Sequence, residues 1–331
     1  MKTINWGIIG CGDVCEVKSG PGFQKAEHSS LVAVMRRDEA KARDYAARHH
    51  VPKYYADADQ LIADADVNAV YVATPPSSHL EYAVKAMRAG KPVYVEKPMA
   101  MNFAECREML KVSEETGQKL FVAFYRRALP YFLKVKDLLD SGAIGKPVLA
   151  GVQYFRKPAE TDINPQQHVW RVKKEIAGGG YFFDLAPHTL DILDFLLGEI
   201  DDARAFVGNL GNFYAVEDTI SGVFRFRSGA QGTGQWSFVT SADAERDTVE
   251  IIGTKGTLLF NTFTFEPIQL TAGGKTEFYQ TEQPQHIQQP LIQSITDELC
   301  GQGKCPSTGI NGIRTSWVMD KMVENLDVFK L

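Results

Sequence analysis

Six residues into the chain, an apolar run from Trp6 to Ile9 breaks into Gly10-Cys11-Gly12-Asp13-Val14, and a helical pattern comes next. A buried strand running into a glycine turn brings bare backbone N–H groups to one point, and the helix after it favours negative charge there. This is the spacing of a turn that cradles a dinucleotide pyrophosphate, with Gly10, Gly12, Asp13 and Val14 as the candidate contacts. Cys15 stands where the third glycine of such a turn usually falls.

The segments beyond the turn decide how to read it. Apolar runs at Asn5–Ile9, Ser30–Met35, Ala69–Ala73, Pro92–Val95 and Leu120–Ala123 alternate with helical patterns at Asp38–His49, Asp57–Ala63, Ser78–Ala89 and Asn102–Thr116. Ser78 and Asn102 are expected N-caps, and Gly90 and Gly117 expected stops. Short apolar strands alternating with helices predict a parallel sheet covered on both faces.

The pattern changes near residue 123. Helices are expected over Leu129–Leu139, Tyr181–Leu197, Pro290–Leu299 and Ile310–Asn325. Strands are expected over Pro147–Phe155, Ala203–Val207, Asp218–Phe226, Ala230–Phe238, Thr248–Ile252, Thr257–Asn261 and Ile268–Thr271. Consecutive strands with tight turns predict a mostly antiparallel sheet. The fold class is therefore two-domain α/β: a dinucleotide-binding domain over 1–122, then a substrate and oligomerisation domain over 123–331 with a large open sheet. Phe224, Phe226, Trp236 and Phe238 raise the prospect that this sheet packs on a second copy. Trp236 and Trp317 read as core.

With 36 Lys and Arg against 41 Asp and Glu, the net charge is -5. That argues against nucleic acid or an anionic membrane as the main partner. No apolar run approaches the ~20 residues of a membrane span, and Met1–Asn5 leads into the first strand without the apolar core of a signal peptide. Five cysteines at spacings that fit no zinc pattern predict reduced thiols and a cytoplasmic protein.

Several motifs occur in order: Gly7–Val14, Ala73-Thr74-Pro75-Pro76 with His79, Glu96-Lys97-Pro98, Gly178-Gly179-Gly180 with Asp184 and His188, and Gly253-Thr254-Lys255-Gly256-Thr257-Leu258. Over essentially its whole length the chain resembles the glucose–fructose oxidoreductase, inositol dehydrogenase and rhizopine-catabolism (Gfo/Idh/MocA) family. The resemblance implies nicotinamide-dependent hydride transfer on sugars, polyols and related carbonyls, and a homodimer or homotetramer formed through the second domain's sheet. Trp170-Arg171 before the triple glycine is similar to the family's NADPH-using sugar reductases.

In NAD-binding domains an acidic residue ends the second strand and holds the ribose 2'-hydroxyl. Here Leu31–Met35 ends in Arg36-Arg37. A carboxylate would repel a 2'-phosphate, whereas guanidinium binds it in a fork. NADP(H) is therefore expected over NAD(H), with Arg36 and Arg37 on the phosphate. The resemblance places Thr74, Pro75 and His79 along the pyrophosphate and nicotinamide ribose, Glu96 on the cofactor, and Trp170 and Arg171 at the nicotinamide carboxamide.

Reduction of a carbonyl builds charge on oxygen and needs a proton donor. By resemblance Lys97 is the general acid in reduction and the base in oxidation. Asp184 and His188, four apart on a helix, share one face. The resemblance assigns His188 to the substrate oxygen, sharing proton transfer with Lys97 or not, and Asp184 to the substrate hydroxyls or to Lys97. Ala186 replaces a glycine usual in that motif, and Pro187 is expected to distort the helix. Tyr125 and Arg126 are further candidates for substrate or cofactor, Lys18 for a closing loop and His168 for a weak substrate contact, while His286 reads as structural. Asp184, His188 and Asp191 form a set able in principle to hold a cation, but hydride reduction with a lysine acid needs none, and no metal is expected. Dihydrodiol or biliverdin reduction, and a non-catalytic NADP(H) sensor, are the alternative functions.

Overall fold

The computed structural model describes residues 3–324. They form two compact units, one of residues up to 129 with 283–313, the other of 130–282 and 314 onward. A single boundary at 122/123 does not capture this, because a stretch near the C-terminus packs back into the first unit.

The first unit alternates strands and helices as β1 (Ile4–Ile9), α1 (Asp13–Val17), α2 (Gly20–Lys25), β2 (Ser29–Met35), α3 (Glu39–Arg48), β3 (Lys53–Tyr55), α4 (Ala58–Ala63), β4 (Ala69–Val72), α5 (His79–Arg88), β5 (Val93–Val95), α6 (Phe103–Thr116) and β6 (Leu120–Val122). All strand pairs are parallel, in the order β3-β2-β1-β4-β5-β6. The order reverses between β1 and β4, where a doubly wound sheet opens its ligand crevice at the carboxyl ends of the strands. β3 was not anticipated: β5 and β6 are as short but apolar and wholly buried, whereas Lys53–Tyr55 is polar and partly exposed.

Alternation along the strands splits this core into two chemistries. One sheet face carries Ile9, Ala33, Val70, Val72, Val93 and Val95, packed on Leu61, Ala83, Met87, Cys106 and Met109 of α4 to α6. The other carries aromatic rings: Trp6 stacks near Phe23 (4.9 Å), Phe23 near Tyr71 (5.2 Å), and Tyr71 on Tyr94 (4.8 Å). The helix over Gln289–Leu299 belongs to this unit and packs on α2.

Asn102 caps α6 by accepting from the Glu105 N–H, and Gly117 stops it in the left-handed region at φ 68°. Ser78 does not cap α5: its hydroxyl donates to Thr74 Oγ1 (2.9 Å) and to the Pro75 carbonyl.

The second unit contains α7 (Pro130–Asp140), β7 (Pro147–Phe155), α8 (Glu160–Ile163), α9 (Lys174–Ala177), α10 (Tyr181–Leu197), then β8 (Ile200–Gly208), β9 (Thr219–Phe226), β10 (Gln231–Ser237), β11 (Arg246–Gly253), β12 (Gly256–Phe260), β13 (Ile268–Ala272) and β14 (Lys275–Tyr279). Its eight strands run β14-β13-β12-β11-β7-β10-β9-β8, antiparallel except for β7 beside β10. The polar edge strand β14 was not anticipated. The boundary between the units falls within the last described helix, Gly309–Val323. Asn325, the expected end of that helix, lies outside the described residues.

Phe224, Phe226, Trp236 and Phe238, which raised the prospect of an uncovered apolar face, are all buried inside this unit, with Phe182 of α10 5.3 Å from Trp236. The opposite face is lined instead by Gln153, Arg204, Phe206, Val223, Thr233 and Glu250, around a hollow of ≈ 1180 Å³, with Leu149 beside it. Phe206 is 79% exposed and Val223 55%. Trp317 is partly exposed rather than core. The five cysteines are reduced, and all but Cys300 are buried.

Candidate active site

The first unit gathers its expected residues at the carboxyl ends of β1, β2, β4 and β5. After β1 the chain turns sharply: the Gly10 and Cys11 N–H groups donate to the Met35 carbonyl, and the Gly12 N–H donates to Gly10 (2.7 Å). Gly10 adopts φ 90°, and a Cβ there would lie 2.7 Å from the Thr74 methyl carbon. A Cβ on Gly12 would meet nothing nearer than 3.9 Å, so this side of the turn is open. That combination, a backbone held tightly from behind and bare in front, fits the pyrophosphate of a dinucleotide.

Cys15 at the third glycine position is accommodated because it is fully buried with its thiol 3.9 Å from the Gly10 carbonyl. Burial pushes the Cys15 thiol far up and the Cys11 thiol up to about 11, so neither is a reactive thiolate.

Arg36 leaves β2 beside this turn, its Nη1 donating to the Cys11 carbonyl at 3.5 Å. Arg37 is exposed. Asp38, the nearest acid, is occupied as the cap of α3, accepting from the Lys41 N–H, and that bond holds its carboxyl below the usual range. The end of β2 thus presents guanidinium in place of carboxylate, and the donor set fits a 2'-phosphate.

His79 is placed differently from expectation. Its ring is fully buried, with Nε2 2.7 Å from the Thr74 carbonyl and Nδ1 3.0 Å from the Pro98 carbonyl. Burial lowers its pKa, opposed by the two carbonyls. Both nitrogens are occupied by backbone, so the imidazole ties the turn after β4 to that after β5 and offers nothing to a cofactor. Thr74 and Pro75 remain part-exposed on that turn.

Lys97 follows β5 half-buried, and its peptide bond to Pro98 is cis. Glu96 faces inward, again unlike the expected cofactor contact. Its Oε1 accepts from the Tyr71 hydroxyl (2.6 Å) and Gln288 Nε2 (2.7 Å), and its Oε2 from the Lys97 N–H (3.1 Å). Gln288 was missed by sequence reasoning. Its signal was indirect: two tyrosines in mid-strand, Tyr71 and Tyr94, need buried hydrogen-bond partners. Lys18 is exposed, but its backbone is anchored, since its carbonyl accepts from the Gln288 N–H. His286, as expected, is structural, donating from Nδ1 to the Val17 carbonyl at 2.7 Å. Tyr125 and Arg126 are both buried in a short turn after β6, the guanidinium carbon 4.9 Å from the ring centroid.

In the second unit, Asp184 and His188 lie one turn apart on α10, which runs unbroken through Pro187. The expected distortion does not end the helix, which continues for ten residues beyond Pro187. Arg171 Nε donates to Asp184 Oδ2 at 2.9 Å, while its guanidinium stacks 4.6 Å from Trp170. Arg171, expected at the nicotinamide carboxamide, is thus engaged by Asp184 inside this unit. His188 is buried with its ring edge on Phe263 (5.7 Å). Buried Asp162 accepts from the Tyr181 hydroxyl (2.6 Å), and its backbone carbonyl lies 3.0 Å from His168 Nε2. Glu217 caps α10 by accepting from the Gly180 N–H, and burial raises its pKa. Asp191 is buried 3.5 Å from the Thr315 hydroxyl. Among the described residues no group of three or more His, Cys, Asp or Glu is arranged to hold a metal, and no helix is long and apolar enough to cross a membrane.

A doubly wound sheet, an open glycine turn and a lysine at the next strand end but one define a nicotinamide-dependent oxidoreductase acting on CH–OH or C=O groups. Residues 4–124 match the oxidoreductase family with an NAD-binding Rossmann fold, and residues 132–259 match the GFO/IDH/MocA C-terminal domain. The chain belongs to the Gfo/Idh/MocA family. It is 41% identical over 320 residues to oxidoreductase P35 of Formosa agariphila, covering 96% of this chain and 98% of that one. It is 29% identical to 1,5-anhydro-D-fructose reductase of Ensifer adhaerens, covering 93% and 92%. A solved levoglucosan dehydrogenase, in complex with NADH and levoglucosan, shares the fold with a TM-score of 0.86 at 24% identity, covering 98% and 97%.

Proposed function

We propose that the chain is an NADP(H)-dependent oxidoreductase acting on a sugar, polyol or related small carbonyl. The nicotinamide, when bound, supplies or accepts the hydride. Lys97 gives a proton to the substrate oxygen in reduction and takes it back in oxidation. The observation that carries this reading is the setting of Lys97: a half-buried lysine at the carboxyl end of β5, its backbone pinned by a buried carboxylate. Such a lysine is held by its backbone at the strand end where ligands meet a doubly wound sheet.

Gly10, Gly12, Asp13, Val14, Thr74 and Pro75 line the pyrophosphate side, and Arg36 with Arg37 reads the 2'-phosphate. Asp184 and His188 bind substrate oxygens, with Arg171 fixing the Asp184 carboxylate. A sugar or polyol is favoured by the name of the anhydrofructose reductase relative. A homo-oligomer is favoured by the exposed Leu149, Phe206 and Val223 on the open sheet face.

The test is nicotinamide absorbance across keto- and aldo-sugars, dicarbonyl sugars, polyols and diols, with each of the two nucleotides, in wild type and Lys97→Met. Turnover lost by about 10²–10⁴-fold in the variant supports the assignment. Tight NADPH binding without turnover on any compound would point to a sensor instead.

A further inference from the structure

The short segment His286–Gln288 makes contacts on both sides of the glycine turn's exit. His286 donates to the carbonyl of Val17, the last residue of α1, and the Gln288 N–H donates to that of Lys18, its C-cap. The Gln288 side chain, 1% exposed, reaches the other way: Nε2 donates to Glu96 at 2.7 Å while Oε1 accepts from the Tyr94 hydroxyl at 2.8 Å. Glu96 in turn holds the Lys97 N–H.

The amide is oriented by its partners. Ionised Glu96 can only accept, so the NH₂ end must face it, and Oε1 is left to accept from the Tyr94 hydroxyl. Tyr71 supplies the other donor to the same oxygen. Removing the Gln288 donor leaves Glu96 buried with two donors in place of three, and a buried carboxylate short of a donor moves to find one. The group it would carry along is the Lys97 backbone.

We propose that Gln288 is a positioning residue that sets Lys97 through Glu96, and that it couples the exit of the nucleotide-binding turn to the proton-transferring lysine. The inference rests on the proposed role of Lys97. The titratable groups that feel the Glu96 carboxylate are Tyr71 and Tyr94 from the sheet, Cys15 from α1 and His79 from α5.

Gln288→Glu discriminates best. The carboxyl it introduces can still donate to Glu96 when protonated, but its ionised form repels Glu96, and two facing carboxyls hold one proton between them. The variant should therefore work at acid pH and fail as pH rises, whereas Gln288→Met should fail at every pH. We expect kcat in Gln288→Met to fall about tenfold, with the nucleotide KM within about twofold. A readout independent of turnover is trace acetylation of Lys97 in nucleotide-free protein, followed by mass spectrometry across pH, with exposed Lys111 as internal reference. The Lys97-to-Lys111 labelling ratio should move about threefold or more with pH in Gln288→Glu relative to wild type.

A Lys97 labelling profile and kcat unchanged in both folded variants would overturn the proposal. So would equal, pH-independent losses in both. Should the Gln288 variants fail to fold, Tyr71→Phe removes the other donor from the same oxygen, and an unmoved Lys97 profile there counts against the proposal. If Lys97→Met itself retains turnover, the functional reading fails; if only the Gln288 effects are missing, the coupling fails alone.

Discussion

The Tyr45 hydroxyl donates to the Cys15 carbonyl at 2.8 Å, joining α3 to the helix that leaves the glycine turn. Gly20 makes room for this bond: a Cβ there would fall well inside 3.0 Å of both the tyrosine oxygen and the Cys15 carbonyl. Gly20, five residues beyond Cys15, is thus where α2 lets Tyr45 approach the backbone that leaves the turn. Gly20→Ala should destabilise the protein by about 1–3 kcal/mol through overpacking. Tyr45→Phe should cost about 1 kcal/mol by leaving a buried carbonyl unpaired. Because the two share one contact, the double variant should fall short of the sum, measured by urea unfolding.

Arg36 should decide the nucleotide. It is the side chain at the end of β2 that already lies over the glycine turn. Arg36→Asp should weaken NADPH binding about 10–100-fold, the worth of about 1.5–3 kcal/mol for charge-assisted hydrogen bonds, and leave NADH equal or tighter. Fluorescence titration with both nucleotides reads this directly. Unchanged NADPH affinity would remove Arg36 from the site.

The parallel sheet was legible because its apolar runs and intervening helices carry strong local signals, down to the Asn102 cap and the Gly117 stop. The positions of Arg36 and Lys97 came from the same signals, since strand ends are where ligands meet such a sheet. What sequence could not show were contacts far apart in the chain. Gln288 lies 192 residues from Glu96, and no local pattern announces it. Glu96 and His79 both flank the site, where the family resemblance points them at the cofactor, but their polar atoms are occupied by neighbouring donors and by the carbonyls of Thr74 and Pro98. The open face of the larger sheet was mis-assigned for a related reason. Alternation identifies two faces but does not say which one a helix covers.

That open face gives a further prediction. Val223 sits opposite Thr233 on one side and Arg204 on the other, amid residues that alternate away from the core. If a second copy covers this face, Val223→Glu should shift the species measured by light scattering toward monomer while leaving the far-ultraviolet circular dichroism unchanged. An unchanged mass would place the oligomer, or its absence, elsewhere.

Acid should loosen the nucleotide turn through Glu16. Arg48 of α3 grips this α1 carboxylate with both nitrogens at 2.8 Å, and His49 adds a third contact at 2.7 Å. The Arg48 hydrogen bonds, with His49 behind them, hold the Glu16 carboxyl down to about 2 from a usual 4.5, against the upward pull of its partial burial. A carboxylate depressed in the folded state contributes stability that is fully present above the unfolded value and lost as pH falls through the folded one. The window is therefore from about 4.5 down to about 2. The effect should be small, because the Glu16 and Arg48 side chains are 35% and 48% exposed and solvent screens the pair. Arg48→Ala returns Glu16 toward the usual range, so the variant should lose less stability than wild type between about pH 5 and about pH 3, with the two curves converging at the acid end. Urea midpoints at half-unit pH steps test this. Parallel curves across the window would mean that the ion pair, although well formed, contributes nothing to the acid sensitivity of the turn.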